Sequence, residues 1–495
     1  MRGTHPILRP GDTCWRIETA DRLSVIVDAA DYFAVLREVM QKARHSVIMI
    51  GWEFDTRINL DPREDGGEVP SRLGDFLSWL VRRCPGLDIR LLQWDVGVLG
   101  TLARGSTPLR LADWLIGRKI RLKLDHAHPS GAAHHQKIIV IDDVLAFCGG
   151  IDATADRWDT QDHADDSPYR VRPTTKRPYG PWHDATVAVG GDAARALGEL
   201  ARTRWEQATG ERIAAAPAAP PIWPEGLDPM LRDAEVAISR TLPAHAGREE
   251  IHEIESLYLA IIAATRRTLY IESQYFASRL LAEAIAVRLT EPEGPEVVVV
   301  NPESAQGWLE EAAMGSARAR LLDVVRKADV HGRFRLYTPV TDGGTPIYVH
   351  AKIVVMDDRL MRVGSSNLNN RSLGFDTECD LSVEVLRGGP DEAELPERIE
   401  GLRNRLLAEH LGVTPTTVKH AIDTADGSLI AAIEALRGPG RSLVPFEPPD
   451  FGVVADEMLR ESDLLDPEPP ARRRRRGRLS RLRQRIFGRK LPSHN

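Results

Sequence analysis

Two stretches of this 495-residue chain carry the same reactive side chains at the same spacing: HHQKIIVIDDVLAFCGGID over 134–152 and VHAKIVVMDDRLMRVGSSN over 349–367. In each, a His is followed two residues on by Lys and five further on by Asp, giving His135, Lys137, Asp142 and His350, Lys352, Asp357. The offset of 215 also carries Gly149 to Gly364 and Asp152 to Asn367, so a duplicated site is expected. Residues two apart on a strand share a face, which sets a base or nucleophile titrating near neutrality beside a permanent cation. Asp142 and Asp357 have the opposite parity and fall where the strand turns, so they read as structural anchors. Two such faces brought together would hold two imidazoles and two ammonium groups around one small anion. That set suits phosphoryl transfer, in which charge on the non-bridging oxygens must be stabilised. One His attacks phosphorus while the other protonates the departing oxygen. No HExxH, CxxC or calcium-loop spacing occurs, so neither a metal nor another cofactor is expected.

The elements that must position these groups alternate. Residues 31–45 and Leu73–Arg83 read as amphipathic helices; Ser46–Ile50, Leu87–Trp94 and Arg121–Asp125 read as strands, with a short helix over Leu111–Gly117. The second half replays the order: helix Ile251–Thr265, strand Thr268–Ile271, helix Arg279–Leu289, strand Glu296–Asn301, helix Ala317–Ala328 and strand Arg333–Tyr337. The alternation predicts an α/β layered fold, and the repeat is a whole domain. The expected division is a first domain over 1–212, a Pro/Ala-rich linker over 213–226 and a second domain over 227–412. Short helices follow from 416, with Ser428 as an N-cap, then a Pro- and acid-rich, loosely ordered stretch to 470 and a basic tail over 471–495.

Four cysteines without metal-ligand spacing and the absence of an apolar leader point to a reducing cytosol. No apolar run approaches the ~20 residues that span a bilayer. Residues 472–495 hold 11 Lys and Arg and no acid, leaving 54 basic against 72 acidic residues elsewhere. An acidic body argues against a nucleic-acid partner.

Beyond the paired motifs, Gly149–Asp152, Arg157–Thr160, Gly180–Asp184 (GPWHD), Tyr270–Phe276 (YIESQYF) and Asn370–Ser372 resemble stretches of the phospholipase D superfamily, in which two HxKxxxxD motifs share one active site. The resemblance covers roughly residues 20–412. It implies a pair of αβα domains with mixed sheets, related by a pseudo-twofold axis, and a phosphohistidine intermediate. By position, His135 resembles the nucleophile and His350 the general acid and later base. Lys137, Lys352, Ser365 and Asn367 resemble phosphate-holding groups. Asp184 and Glu378 resemble the carboxylates that orient each imidazole. Asp152 departs from its partner Asn367, because a carboxylate cannot donate to phosphate, and it is grouped with Asp142 and Asp357 as structural. Ser273 replaces the Asn usual in the aromatic motif.

The implied activity is hydrolysis of the head-group phosphodiester of glycerophospholipids to phosphatidic acid, with transfer to alcohols. Three alternatives stay open: a cardiolipin- or phosphatidylserine-synthase-type phosphatidyltransferase, a nuclease-type phosphodiesterase and an inactive membrane-binding scaffold. In the tail, Leu479, Leu482, Ile486 and Leu491 lie at helical spacing among arginines, the pattern of a membrane-surface binder. The expectation is a monomer, peripheral on the cytoplasmic face of an anionic membrane.

Overall fold

In the computed structural model, which describes residues 6–64, 67–95, 119–304, 315–386, 393–448 and 466, the chain builds one mixed sheet of 16 strands. The first half opens with β1 (Arg16–Val27), α1 (Ala29–Met40), β2 (Ser46–Gly51), α2 (Leu73–Arg83), β3 (Asp88–Trp94) and β4 (Ile120–Asp125). It continues with β5 (Ile138–Ile141), β6 (Leu145–Gly149), β7 (Trp182–His183), β8 (Ala185–Gly190) and α3 (Gly191–Thr209). The second half opens with β9 (Leu231–Leu242), β10 (Ile251–His252), α4 (Glu253–Ala264), β11 (Thr268–Glu272), α5 (Arg279–Leu289) and β12 (Glu296–Val300). Next come α6 (Ser316–Ala328), β13 (Phe334–Val340), β14 (Tyr348–Val349), β15 (Ile353–Met356) and β16 (Leu360–Gly364). It closes with α7 (Asn370–Gly374), β17 (Glu378–Glu384) and α8 (Leu395–Leu411). After it stand α9 (Pro415–Thr424), α10 (Leu429–Leu436) and β18 (Ser442–Pro445).

Outward from a central antiparallel β1–β9 pair, one arm runs β1-β8-β6-β5-β2-β3-β4 and the other β9-β17-β16-β15-β11-β12-β13. Each arm makes four antiparallel pairings and then two parallel ones, in the same order. The duplication is thus written into the strand order. Both faces of the sheet are covered, which explains its Val/Ile-rich strands. Val47 and Met49 pack with α1 and α2 on one face; Ile48 and Ile50 pack with α3 on the other. Leu269 and Ile271 pack with α4 and α5 in the corresponding layer of the second half.

The seam strands β1 and β9 were not expected, because their mixed polar sequences, RIETADRLSVIV and LRDAEVAISRTL, lack a continuous apolar run. The Pro/Ala-rich stretch between the halves packs against the first: Ile222 is buried in its core and Ala216 N–H donates to Asp143. The Pro- and acid-rich stretch is not loose throughout, since β18 joins the sheet edge beside β13. The helix expected over 111–117 and the basic tail over 471–495 lie outside the described residues. No helix among the described residues is long and apolar enough to cross a membrane.

Candidate active site

His135 and Lys137 stand just ahead of β5, and His350 and Lys352 just ahead of β15, rather than inside the strands. The reason is that the backbone before each strand pairs across the molecule. His135 N–H donates to Thr377 O at 3.0 Å, and His350 N–H donates to His183 O at 2.7 Å. Around these bonds β14 runs parallel to β7, and His134 bridges to Thr377 in the same sense. The residue after each acceptor is then carried to the imidazole. Nδ1 of His135 lies 2.9 and 3.0 Å from the carboxylate oxygens of Glu378, and Nδ1 of His350 lies 2.6 Å from Asp184. The pairing is crossed: each histidine is held by the acid of the other half.

Nδ1–H donated to a carboxylate leaves Nε2 of each ring free for chemistry. Each lysine folds back on its own motif, Lys137 Nζ donating to His135 O at 3.0 Å and Lys352 Nζ to His350 O. Burial, then the charges of Lys137 and Lys352, holds His135 well below the usual imidazole range. Burial, then Lys352, Arg157, Lys137 and His135, does the same to His350. Side chains of both halves therefore act on both rings, as one shared site requires. Burial also pushes Lys352 down to about 7 and Glu378 up to about 7.

The two lysines are not equivalent. Asp152 stands 3.2 Å from Lys137 and also accepts from Trp52 N–H at 2.9 Å, whereas the matching position beside Lys352 is the neutral Asn367. Asn367 is propped from behind: its N–H donates to Ser372 Oγ at 3.0 Å, and Ser273 Oγ lies 3.5 Å from its Oδ1.

Ser365 is not free for phosphate. Its hydroxyl donates to Glu378 and accepts from Cys379 N–H at 3.0 Å, so the oxygen is committed to holding the orienting acid. Ser372 donates to the other carboxylate oxygen at 2.7 Å. Asp142 and Asp357 lie away from the imidazoles. Asp142 accepts from the N–H groups of Arg44, His45 and Ser46 at 2.7–2.8 Å, and Asp357 from those of Arg266, Arg267 and Thr268 at 2.8–3.0 Å. Both sit at positive φ, 51° and 52°, a region that Asp tolerates. The repeated glycine also has a cause. A Cβ on Gly149 would collide with Thr186, and one on Gly364 with Asp380, where neighbouring strands close on the site.

Sequence reasoning passed over several contributors. Trp52 meets His135 edge-on at 5.2 Å between centroids, and Trp182 lies 5.2 Å from His350. Arg157 stacks over Trp182 at 4.2 Å and acts on His350. Trp182 lies in the GPWHD stretch, but only tertiary structure places one ring beside each imidazole. Trp158 and Phe276, by contrast, are core residues.

Residues 258–386 match the family described as "Cardiolipin synthase, PLD-like domain". Phospholipase D A of Dictyostelium discoideum is 25% identical over 81% of this chain and 36% of its own length. Cardiolipin synthase of Geobacillus thermodenitrificans is 24% identical over 74% of this chain and 63% of its own. Phosphatidylserine synthase of Haemophilus influenzae superposes with a TM-score of 0.53 at 14% identity, covering 78% of this chain and 86% of that one. Residues 258–386 thus match a phospholipase D-like domain, and the chain as a whole is similar to members of the phospholipase D superfamily. The chain spans less than two thirds of the length of the two curated relatives. The similarity agrees with the mixed α/β sheet and the doubled motif, while the crossed acids are read from the geometry itself.

Proposed function

We propose that the protein is a phospholipase D-type phosphodiesterase and phosphatidyltransferase acting on glycerophospholipids. The observation that carries this reading is the pair of imidazoles, each fixed through Nδ1 by an acid of the opposite half and each with a lysine beside it. Nε2 of His135 attacks the lipid phosphorus as the bond to the head-group oxygen breaks, and Nε2–H of His350 gives that oxygen its proton. The phosphatidyl group then sits on His135. His350, now neutral, takes a proton from water or an alcohol, whose oxygen attacks phosphorus and frees His135.

The division of roles follows the resemblance of the two motifs. Burial and the neighbouring lysines hold both imidazoles below the usual range, which favours a neutral His135 as nucleophile. The phosphodiester's own negative charge recharges His350 and Lys352 on binding, so the acid form belongs to the complex. Lys137, Lys352 and the amide NH₂ of Asn367 hold the non-bridging oxygens.

Hydrolysis to phosphatidic acid is the leading reaction; transfer to a lipid alcohol is second, favoured by the match to the cardiolipin synthase domain. Incubation with mixed phospholipids and ethanol should yield phosphatidic acid and phosphatidylethanol by mass spectrometry. His135→Ala and His350→Ala should each lose on the order of 10²–10⁴ in turnover. No lipid product from wild type overturns the assignment, and cardiolipin as the main product selects the transferase.

A further inference from the structure

Behind Asp184 lies a second group of titratable side chains that the proposed chemistry does not use. Asp28 follows β1 and precedes α1, His163 comes from the loop after β6, His183 from β7 and Glu409 from α8. All four are buried, and one ligand atom from each lies within 4.8 Å of the others. We propose that Asp28, His163, His183 and Glu409 form a site for a divalent cation of the zinc class, which locks Asp184 in place.

Each histidine has one nitrogen tied to an outer carboxylate. His163 Nδ1 is 2.9 Å from Asp159, and His183 Nε2 is 2.8 Å from Glu272. These acids are anchored in turn: Asp159 by Arg170 at 3.1 Å and Trp182 N–H at 2.8 Å, Glu272 by the Tyr270 hydroxyl at 2.6 Å and His410 at 3.0 Å. A carboxylate on one imidazole nitrogen, with the other nitrogen turned to a shared point, is how metal-ligating histidines are held. At that point His163 Nε2 lies 3.1 Å from Glu409 Oε1 and 3.6 Å from Asp28 Oδ2. His183 Nδ1 lies 2.7 Å from Glu409 Oε1 and 3.3 Å from Asp28 Oδ1. Bonds of about 2.0–2.2 Å to a tetrahedral ion place its donors roughly 3.4 Å apart, within that spread.

Asp28 Oδ2, which faces the point, is buried without a hydrogen-bond partner. An orphaned buried carboxylate oxygen of this kind is costly, and an ion at the point would satisfy it. Asp28 also holds φ 67°, ψ 151°, a conformation essentially reserved for glycine; the strain aims its carboxylate at the cluster. Two neutral imidazoles and two carboxylates match the charge of a divalent ion, and two nitrogen and two oxygen donors suit zinc.

The ion would act on the active site through the backbone. Asp28 N–H donates to Asp184 O at 2.8 Å, and Asp184 N–H donates to Asp28 Oδ1 at 3.1 Å. These four are positioning residues; none touches the reacting atoms.

The test uses the full chain, purified without chelators and dialysed into metal-free buffer. Elemental analysis should find about one zinc-class ion per chain, and cobalt exchange should give the visible bands of a tetrahedral nitrogen–oxygen site. Chelation should lower Tm, with recovery on adding zinc but not calcium or magnesium. Asp159→Asn and Glu272→Gln keep the ligands and should weaken zinc by about 10–100-fold, while Glu409→Gln should abolish stoichiometric binding. A wild-type chain that is metal-free as purified, and whose Tm and spectrum ignore added zinc and cobalt, overturns the proposal and leaves two imidazolium ions among carboxylates. Stoichiometric zinc retained in both His163→Ala and Glu409→Gln overturns it equally.

Discussion

Glu378 receives hydrogen bonds from His135 Nδ1, Ser365 and Ser372 at once, and this decides the tautomer of His135. Ser365 accepts from Cys379 N–H, so its own hydrogen is directed at the carboxylate, which then acts as acceptor towards the imidazole. Glu378→Gln can turn its NH₂ towards Nδ1 and stabilise the other tautomer. Turnover should fall by about 10³–10⁴-fold, as for other hydrolases that lose the orienting acid, with Tm little changed; a loss under tenfold would refute the orienting role. Lys352 makes a stability prediction. Burial holds its pKa at about 7 against 10.5 in the unfolded chain. Between those values the unfolded chain binds more protons, so stability rises with pH across that window, by at most about 1.4 kcal/mol per pH unit. Below about 7 both states are protonated and the penalty is full. Urea unfolding at pH 7.5 and 9.5 should show the rise in wild type and its loss in Lys352→Met; equal slopes would contradict it.

At the scale of elements, the motif aspartates are splints. Asp142 ties the turn between β5 and β6 to the start of β2, and Asp357 ties the turn between β15 and β16 to the start of β11. Strand parity was enough to remove both from the chemistry. Asp142→Ala strands three backbone N–H groups and should cost on the order of 3 kcal/mol in denaturant unfolding, with kcat at low temperature within about threefold of wild type. A fall of a hundredfold in a folded variant would return Asp142 to the chemistry. Helices and doubly covered strands were legible because their periodicity reports burial directly. Ser365 was misplaced because a hydroxyl's partner depends on what the next strand brings, which one-dimensional spacing does not carry.

Across the whole molecule, the β1–β9 seam makes one sheet of two arms, and neither arm holds both an imidazole and its acid. The halves are joined by ladder and by chemistry, more than by the Pro/Ala stretch between them. The site so formed is proposed to meet its lipid at a membrane surface, with the basic 472–495 segment as anchor at ~1 kcal/mol per Arg near anionic lipid. Deleting 472–495 should weaken sedimentation with anionic vesicles while leaving turnover of a short-chain soluble phosphodiester unchanged. Equal vesicle binding with and without the segment would remove that role.

The sequence by itself showed that one pattern of His, Lys and Asp occurs twice in register, and it predicted that the motif Asp residues face away. Repetition and strand parity are properties of a chain read in one dimension. Only the tertiary structure decided that the orienting acids cross between halves, that Trp52 and Arg157 stand beside the imidazoles and that Ser365 braces Glu378. It alone gathered Asp28, His163, His183 and Glu409 into one cluster. Each of these depends on which strands are neighbours in the sheet, and the seam that sets those neighbours is built from two polar-looking strands with no signature of their own.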